Sequence, residues 1–261
     1  MTTGISTACL FPLLTEKALE KLLKEGTKTL EIFFNSPCES NKEFIMSLMP
    51  LLNEYGAKVV SLHPCTSAFE TLSFFGRYER RFYDSVECYK KLFYACNLLG
   101  ADIVVFHGAK KQFHIERELY FERFGKLCEE GRKFGVNVCQ ENVEGFLGGG
   151  KDFMASLLKA LPETKTVFDV KQCCRNHLDP MDMLETMGKS VYHVHLSDHN
   201  SENICMLPGD GNFDFRKFFT RLYQLGFDKN IIIELYRNNF KHSSDLIRSK
   251  KLIDNILKDI R

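Results

Sequence analysis

The segment YHVHLSDHN, Tyr192 to Asn200, places three histidines and one aspartate within nine positions. Residues of these types at this density suit a metal ligand set, a proton-transfer site or a polar strand end. Strand geometry helps to separate these readings, because side chains two residues apart share a face. Val191, His193 and His195 then lie on one face, and Tyr192, Val194 and Leu196 on the other. The same phase argument picks out an ionisable residue in six further β-branched or aromatic runs: Glu31 in TKTLEIFF, His63 in AKVVSLH, His107 in ADIVVFHG, Glu141 in VNVCQEN, Asp169 in KTVFDVK and Glu234 in NIIIELY. In phase with these, His63 aligns with Ser61 and Val59, and Lys171 with Asp169. Burying so many charges near one another is costly unless they are paired or bound to a metal. Their convergence on one face, mostly at the C-terminal ends of the runs, therefore points to a site.

The elements that must position these residues follow from periodicity. TGISTACL and the seven runs above make eight strand-like segments, separated by amphipathic helical stretches such as EKALEKLLKEG, SVECYKKLFYACNLLG and DFRKFFTRLYQLG. Several of these helical stretches end in glycine, the expected residue just past a helix C-terminus. Eight strand and helix units without a linker predict one α/β domain over residues 1–261, a single (β/α)8 TIM barrel. A doubly wound open sheet is the rival, but no strand leads into GxGxxG or a phosphate loop. No organic cofactor is expected. In such a barrel the C-terminal ends of the strands carry the active site.

Composition narrows the partners. Thirty-five basic residues against 34 acidic ones give a formal charge of +1, without the basic signature of duplex binding, so no nucleic-acid partner is expected. The N-terminal stretch lacks the charged and apolar regions of a signal peptide, and no apolar run approaches the roughly 18 residues of a membrane span. A soluble cytoplasmic protein with no membrane partner is the expectation. The ten cysteines form no CxxC pair, which argues against a zinc ribbon or a thioredoxin-like motif. Cys173 and Cys174 read as free thiols.

Glu141, Asp169, His195 and Glu234 come from four consecutive strands, so their side chains should surround one point above the barrel. Three carboxylates and one imidazole suit one divalent ion, Mn2+ first, with Mg2+, Co2+ or Fe2+ as alternatives, because hard oxygen ligands dominate. An ion preferring about six ligands would keep two positions for substrate oxygens.

The pieces QEN, FDVKQ, HVHLSD, LPGDGNFDF and IIIELYR, in this order and spacing, resemble the sugar phosphate isomerase/epimerase superfamily of xylose isomerase-like barrels, across essentially the whole chain. The resemblance implies that Glu141, Asp169, His195 and Glu234 hold one divalent metal, and that Glu141 and Glu234 are the acid/base pair. The implied activity is isomerisation or epimerisation of a small sugar or polyol through an enediolate, with a dehydratase or carbon-glycoside lyase as the alternative on the same site. His63, His107, Lys171 and Arg237 are the expected substrate contacts. Glu31 is left as a deeper structural partner, His193 as a buried support, Asp198 as a residue that could orient a ligand, and Asp214 as a helix cap.

Several ketose epimerases of this group carry a histidine three residues after the strand-six aspartate and an arginine six residues after the strand-seven histidine. Here those places hold Gln172 and Ser201, a departure from free-ketohexose contacts. Endonuclease IV shares His63, His107, Glu141 and Asp169, but its Asp-x-His pair after strand seven has no counterpart. A sugar-binding descendant without catalysis is a further rival. Some members of the group form dimers or tetramers, which leaves a homo-oligomer open.

Overall fold

The computed structural model describes residues 1–260. Its strands are β1 (Thr2–Ser6), β2 (Thr29–Phe34), β3 (Lys58–Pro64), β4 (Ile103–Phe106), β5 (Asn137–Glu141), β6 (Lys165–Asp169), β7 (Val191–Leu196) and β8 (Asn230–Ile233). All neighbouring pairs are parallel, and β8 returns to β1, so the sheet closes into the expected (β/α)8 TIM barrel. Closure leaves no strand edge exposed.

Helices α1 (Thr15–Lys24), α2 (Lys42–Tyr55), α3 (Ser67–Phe75), α4 (Glu79–Leu99), α5 (Arg117–Lys133), α6 (Lys151–Ala160), α7 (Val170–Arg175), α8 (Pro180–Met187), α9 (Phe215–Gln224) and α10 (Ser243–Lys258) cover the outside. Left-handed Gly56 and Gly100 end α2 and α4, where a residue with a Cβ would be strained. Asp214 caps α9 by accepting the Lys217 amide, as expected. Helices α3 and α7 are additions to the sequence reading. No helix among the described residues is long and apolar enough to cross a membrane.

The outer core, between strands and helices, takes alternate strand residues, such as Leu30 and Ile32 of β2, Val194 and Leu196 of β7, and Ile231 and Ile233 of β8. The barrel interior is separate: Ile103, Val105, Cys139 and Val167 pack with Tyr192. Tyr192 corrects the predicted alternation. The register jumps from Thr166 opposite Val191 to Val167 opposite His193, so β7 carries one extra residue. Val191 therefore joins the outer core and Tyr192 turns inward, its hydroxyl donating to Asp102 Oδ2 at 2.9 Å. A second irregularity, between Leu30 opposite Val59 and Glu31 opposite Ser61, likewise puts Val59 in the outer core rather than in phase with Ser61 and His63. Both bulges lie on the N-terminal side of the polar residues and leave those residues facing in.

The sixth strand is also shorter than predicted. It ends at Asp169, whose carboxylate accepts the Gln172 amide at 3.1 Å and starts α7. Lys171 thus reaches the cavity from a helical turn, not from strand alternation.

Gly4 shows how closely the barrel floor is packed. A Cβ there would lie 2.5 Å from Thr29 O and 2.6 Å from Ile232 Cδ1. Gly4→Ala should destabilise the fold by about 1–3 kcal/mol, as over-packing typically does; urea unfolding with an unchanged slope and a lower midpoint would show it.

Candidate metal centre and active site

The polar layer begins with Glu31, which is fully buried. Its Oε2 meets Ser61 Oγ at 2.8 Å, His193 Nε2 at 3.0 Å and His195 Nε2 at 3.0 Å. An ionised carboxylate only accepts, so both histidines donate from Nε2. His195 then presents Nδ1 upward, 2.9 Å from Glu141 Oε1, 3.5 Å from Glu234 Oε2 and 3.8 Å from Asp169 Oδ2. A carboxylate bonded to the far nitrogen of a ligating histidine orients the ring and raises its basicity. Glu31 is therefore more than the deeper partner expected of it. The signal was present in the sequence, as an acidic residue in phase inside an apolar strand, but its partners lie 30 or more residues away. His193 is the buried support predicted.

Lys171 Nζ, itself buried, donates to both Asp169 Oδ2 and Glu234 Oε2. The histidines complete the ring: His107 Nε2 lies 3.1 Å from Glu141 Oε2 and 3.0 Å from His63 Nε2, and His63 Nδ1 lies 3.2 Å from Glu234 Oε1. Each histidine thus touches one of the two carboxylates assigned to acid/base work.

The supports behind these groups were not read from the sequence. Glu70, buried on α3, accepts the amides of His107 and Gly108 at 3.0 and 2.6 Å and holds the chain as it leaves β4. Gln140 donates to the carbonyls of Phe106 and His107 and accepts from the Tyr120 hydroxyl. Asn142, the last residue of the QEN motif, exchanges two hydrogen bonds with the Asp169 backbone, accepting at 2.7 Å and donating at 3.0 Å, and so ties β5 to β6 at the ligand level. Asp198 is one more such support. Its carboxylate accepts the amides of His199, Gly209, Gly211 and Phe213, so it shapes the LPGDGNF loop.

Charge compensation sets the protonation states. Burial raises the Glu31 carboxyl, but His195, His193 and His63 outweigh it and hold Glu31 well below the usual range. Burial likewise opposes ionisation of Glu141, which His107 and His195 pull well down, and of Glu234, which Lys171 and the histidines lower. Asp169 goes the other way, raised by burial despite Lys171. Burial disfavours the imidazolium of His107, yet Glu141 and Glu70 push its pKa up to about 10. His195 is raised well above the ordinary histidine range against burial, chiefly by Glu31 and Glu234. His193 is lowered, burial outweighing Glu31, and stays neutral.

These groups form the floor of a cavity of about 690 Å3 at the C-terminal ends of the strands, lined also by Phe11, Pro12, Phe33, Phe146 and Tyr236. His63, His107, Glu141, Lys171 and Glu234 all line it, while Asp169 and His195 lie beneath. Arg237 is at the rim, but its guanidinium donates to the carbonyls of Phe240 and Lys241, at 2.9 and 3.2 Å. Gln172 is occupied by the Glu144 amide. All ten cysteines are free, Cys173 and Cys174 included.

The donor set fits a divalent ion. Glu141, Asp169, His195 and Glu234 each offer an atom within 4.8 Å of the others, and two overlapping groups, Glu31 with His63, His195 and Glu234, and His63 with His107 and Glu141, meet the same test. The Lys171 ammonium between Asp169 and Glu234 is a stand-in cation: these carboxylates sit so close that a positive charge must lie among them.

A pH dependence follows for the metal-free fold. His107 and His195 have folded pKa values above the ordinary 6.5, so their contribution is full below pH 6.5 and is lost as pH rises, toward about 10 for His107. Glu31, Glu141 and Glu234 have lowered values, so their contribution is full above the ordinary 4.5 and is lost below it. The thermal midpoint of the metal-free protein should therefore be highest between about pH 4.5 and 6.5 and fall toward pH 10. A midpoint flat from pH 6 to 10 in calorimetry would contradict this charge assignment.

Comparison with known proteins agrees with the barrel fold. An uncharacterized protein of Methanocaldococcus jannaschii is 23% identical over 98% of this chain and 89% of its own length. Among solved structures, a D-tagatose 3-epimerase-like protein superposes with a TM-score of 0.80 at 22% identity, covering 100% of this chain and 98% of the other. The probable 3-DHS dehydratase AsbF of Bacillus anthracis, involved in petrobactin synthesis, gives 0.76 at 15% identity over 98% and 99%. Identities this low carry the fold and leave the reaction open. The family described as xylose isomerase-like TIM barrel matches residues 19–254, and the chain belongs to it.

Proposed function

We propose that the protein is a divalent-metal-dependent isomerase or epimerase acting on a sugar or polyol that carries a hydroxyl beside a carbonyl. The observation that supports this most is the meeting of Glu141, Asp169, His195 and Glu234 at the floor of a cavity, each with a ligand atom within 4.8 Å of the rest. A bound Mn2+ or similar ion would supply the charge that acidifies the C–H beside the carbonyl and stabilises the enediolate.

The chain's own residues would do the rest. Glu141 and Glu234 both reach the cavity, and one would take the carbon-bound proton while the other returns a proton to the opposite face or to the neighbouring carbon. His63 touches Glu234 and His107 touches Glu141, and the two would hold substrate hydroxyls against these carboxylates. Glu31 would keep the His195 ring oriented from below. An ammonium and a divalent ion repel one another strongly inside one carboxylate cage. Lys171 would thus leave Asp169 and Glu234 on loading and face the developing substrate oxyanion.

The likeness to a dehydratase favours a second reading on the same floor, in which loss of a neighbouring hydroxyl as water follows proton removal. The product separates the two, since isomerisation conserves mass and dehydration does not.

Deuterium uptake from D2O into a panel of ketoses and keto-sugars, followed by NMR, tests the reading before the substrate is known. The Mn2+-loaded protein should incorporate solvent deuterium beside the carbonyl, and Glu234→Gln should slow uptake by at least about a hundredfold. Uptake by Glu234→Gln at the unaltered rate would refute the acid/base assignment. Lys171→Met gives an independent check. Removing one partner of a buried ion pair costs about 3–5 kcal/mol, so the metal-free fold should weaken while calorimetry shows Mn2+ bound at least about tenfold more tightly, because no ammonium competes.

A further inference from the structure

Tyr236 and Arg175 meet at the mouth of the cavity, although 61 residues separate them along the chain. Tyr236 stands two residues beyond Glu234 on the chain leaving β8 and lines the cavity, with Lys171 Nζ 5.9 Å from its ring centre. Arg175 is the last residue of α7 and does not line the cavity, so it reaches the phenol from outside. Its Nη1 donates to the Tyr236 hydroxyl oxygen at 2.8 Å, and its Nη2 lies 3.6 Å from Glu144 Oε2 in the loop after β5. The segments that follow β5, β6 and β8 are thereby joined at one point.

A guanidinium can only donate a hydrogen bond. The phenol oxygen therefore accepts, and its own proton is spent on no described residue. By contrast, Asn35 donates to Thr15 Oγ1, the Gln172 side chain accepts the Glu144 amide, and Arg237 donates to the Phe240 and Lys241 carbonyls. Stability does not account for the arrangement around Tyr236. The Arg175 and Glu144 side chains are 38% and 40% exposed, and an ion pair so open to water contributes little to a fold. What the pair does fix is the position of a hydrogen-bond donor before any ligand arrives, which spares the cost of ordering it on binding.

We infer that the Tyr236 hydroxyl donates a hydrogen bond to an oxygen of the bound sugar remote from the reacting hydroxy-carbonyl pair, and that Arg175 is the positioning residue that holds the phenol for it. This rests on the isomerase or epimerase reading of the floor and adds a determinant of substrate length to it. A substrate that ends at the hydroxyl beside the carbonyl has no oxygen to place there. A longer chain gains a contact that needs no charge on either side, because a neutral phenol serves a hydroxyl or a ring oxygen equally. Lys171 keeps its place in the proposed reaction, since Tyr236 acts at the half-exposed mouth and Lys171 at the floor.

Dihydroxyacetone carries the hydroxy-carbonyl pair and nothing beyond it, whereas D-fructose and D-tagatose add further hydroxylated carbons. Binding to the Mn2+-loaded protein is read from the broadening of the sugar proton signals by the ion, and deuterium uptake in D2O is followed by NMR on the same samples. The better-bound ketohexose should exceed dihydroxyacetone in affinity, and Tyr236→Phe should lower its affinity about three- to tenfold. Dihydroxyacetone should bind that variant as it binds the parent protein, which also reports an intact floor. Arg175→Met should lose about as much, Arg175→Lys should recover part of the loss, and the double variant should lose no more than Tyr236→Phe alone, because Arg175 acts through the phenol. Equal losses for the ketohexose and dihydroxyacetone, losses that multiply in the double variant, or no ketohexose bound more tightly than dihydroxyacetone would overturn the inference. Deuterium uptake with an affinity indifferent to Tyr236→Phe sinks the contact and leaves the acid/base reading standing. An affinity lowered by Tyr236→Phe without any uptake sinks the acid/base reading and leaves the contact standing.

Discussion

The contact from His195 Nε2 to Glu31 Oε2 is the constraint on which the rest of the site depends. It fixes which nitrogen of His195 faces upward, and so which atoms of Glu141, Asp169 and Glu234 can meet around one point. A fully buried carboxylate is tolerable only where donors surround it, and Ser61, His193 and His195 supply them. The barrel interior is therefore stratified. An apolar plug with Tyr192 lies at the bottom, the Glu31 layer comes next, and the ring of carboxylates, histidines and Lys171 lies at the mouth.

Much of the surrounding structure fixes backbone at that mouth. Gln140 and Glu70 bind the chain leaving β4, Asn142 joins the ends of β5 and β6, and Asp198 gathers the amides of the loop after β7. Each is a buried polar group with bonds to main chain, which makes it a rigid support. The same economy explains why Asp169 caps α7 with one oxygen while the other receives Lys171: one carboxylate ends the strand, starts the helix and joins the charge cluster.

The division of the cavity between a polar floor and an aromatic wall has a kinetic meaning. The floor groups are buried, so a substrate must cover them to exclude water from the reacting carbon, and water exclusion strengthens every charge interaction there. The wall would contribute binding that does not depend on those charges, through Phe33, Phe146, Phe11 and Tyr236, which line the cavity. Binding far from the reacting atoms is one means by which an enzyme holds them in register.

Fold class and inward face were legible in the sequence because strand period, helix period and glycine stops are local properties. The (β/α)8 order followed from them, as did the inward placement of Glu141, Asp169, His195 and Glu234. Period alone could not show the extra residue in β7 or the irregularity in β3, since a bulge is decided by the pairing of neighbouring strands. Lys171 was assigned to the cavity for the wrong reason, because the end of β6 is set by Asp169 capping α7. Arg237 and Asp198 were assigned by position near the rim, and only packing reveals that carbonyls occupy one and loop amides the other. The sequence by itself determined which residues could do chemistry and on which side of the barrel they stand. The tertiary structure decided which of them touch, because the bonds from Glu31 to His195, from Glu70 to the His107 amide and from Asn142 to the Asp169 backbone join residues 164, 37 and 27 apart along the chain, separations that no local pattern encodes.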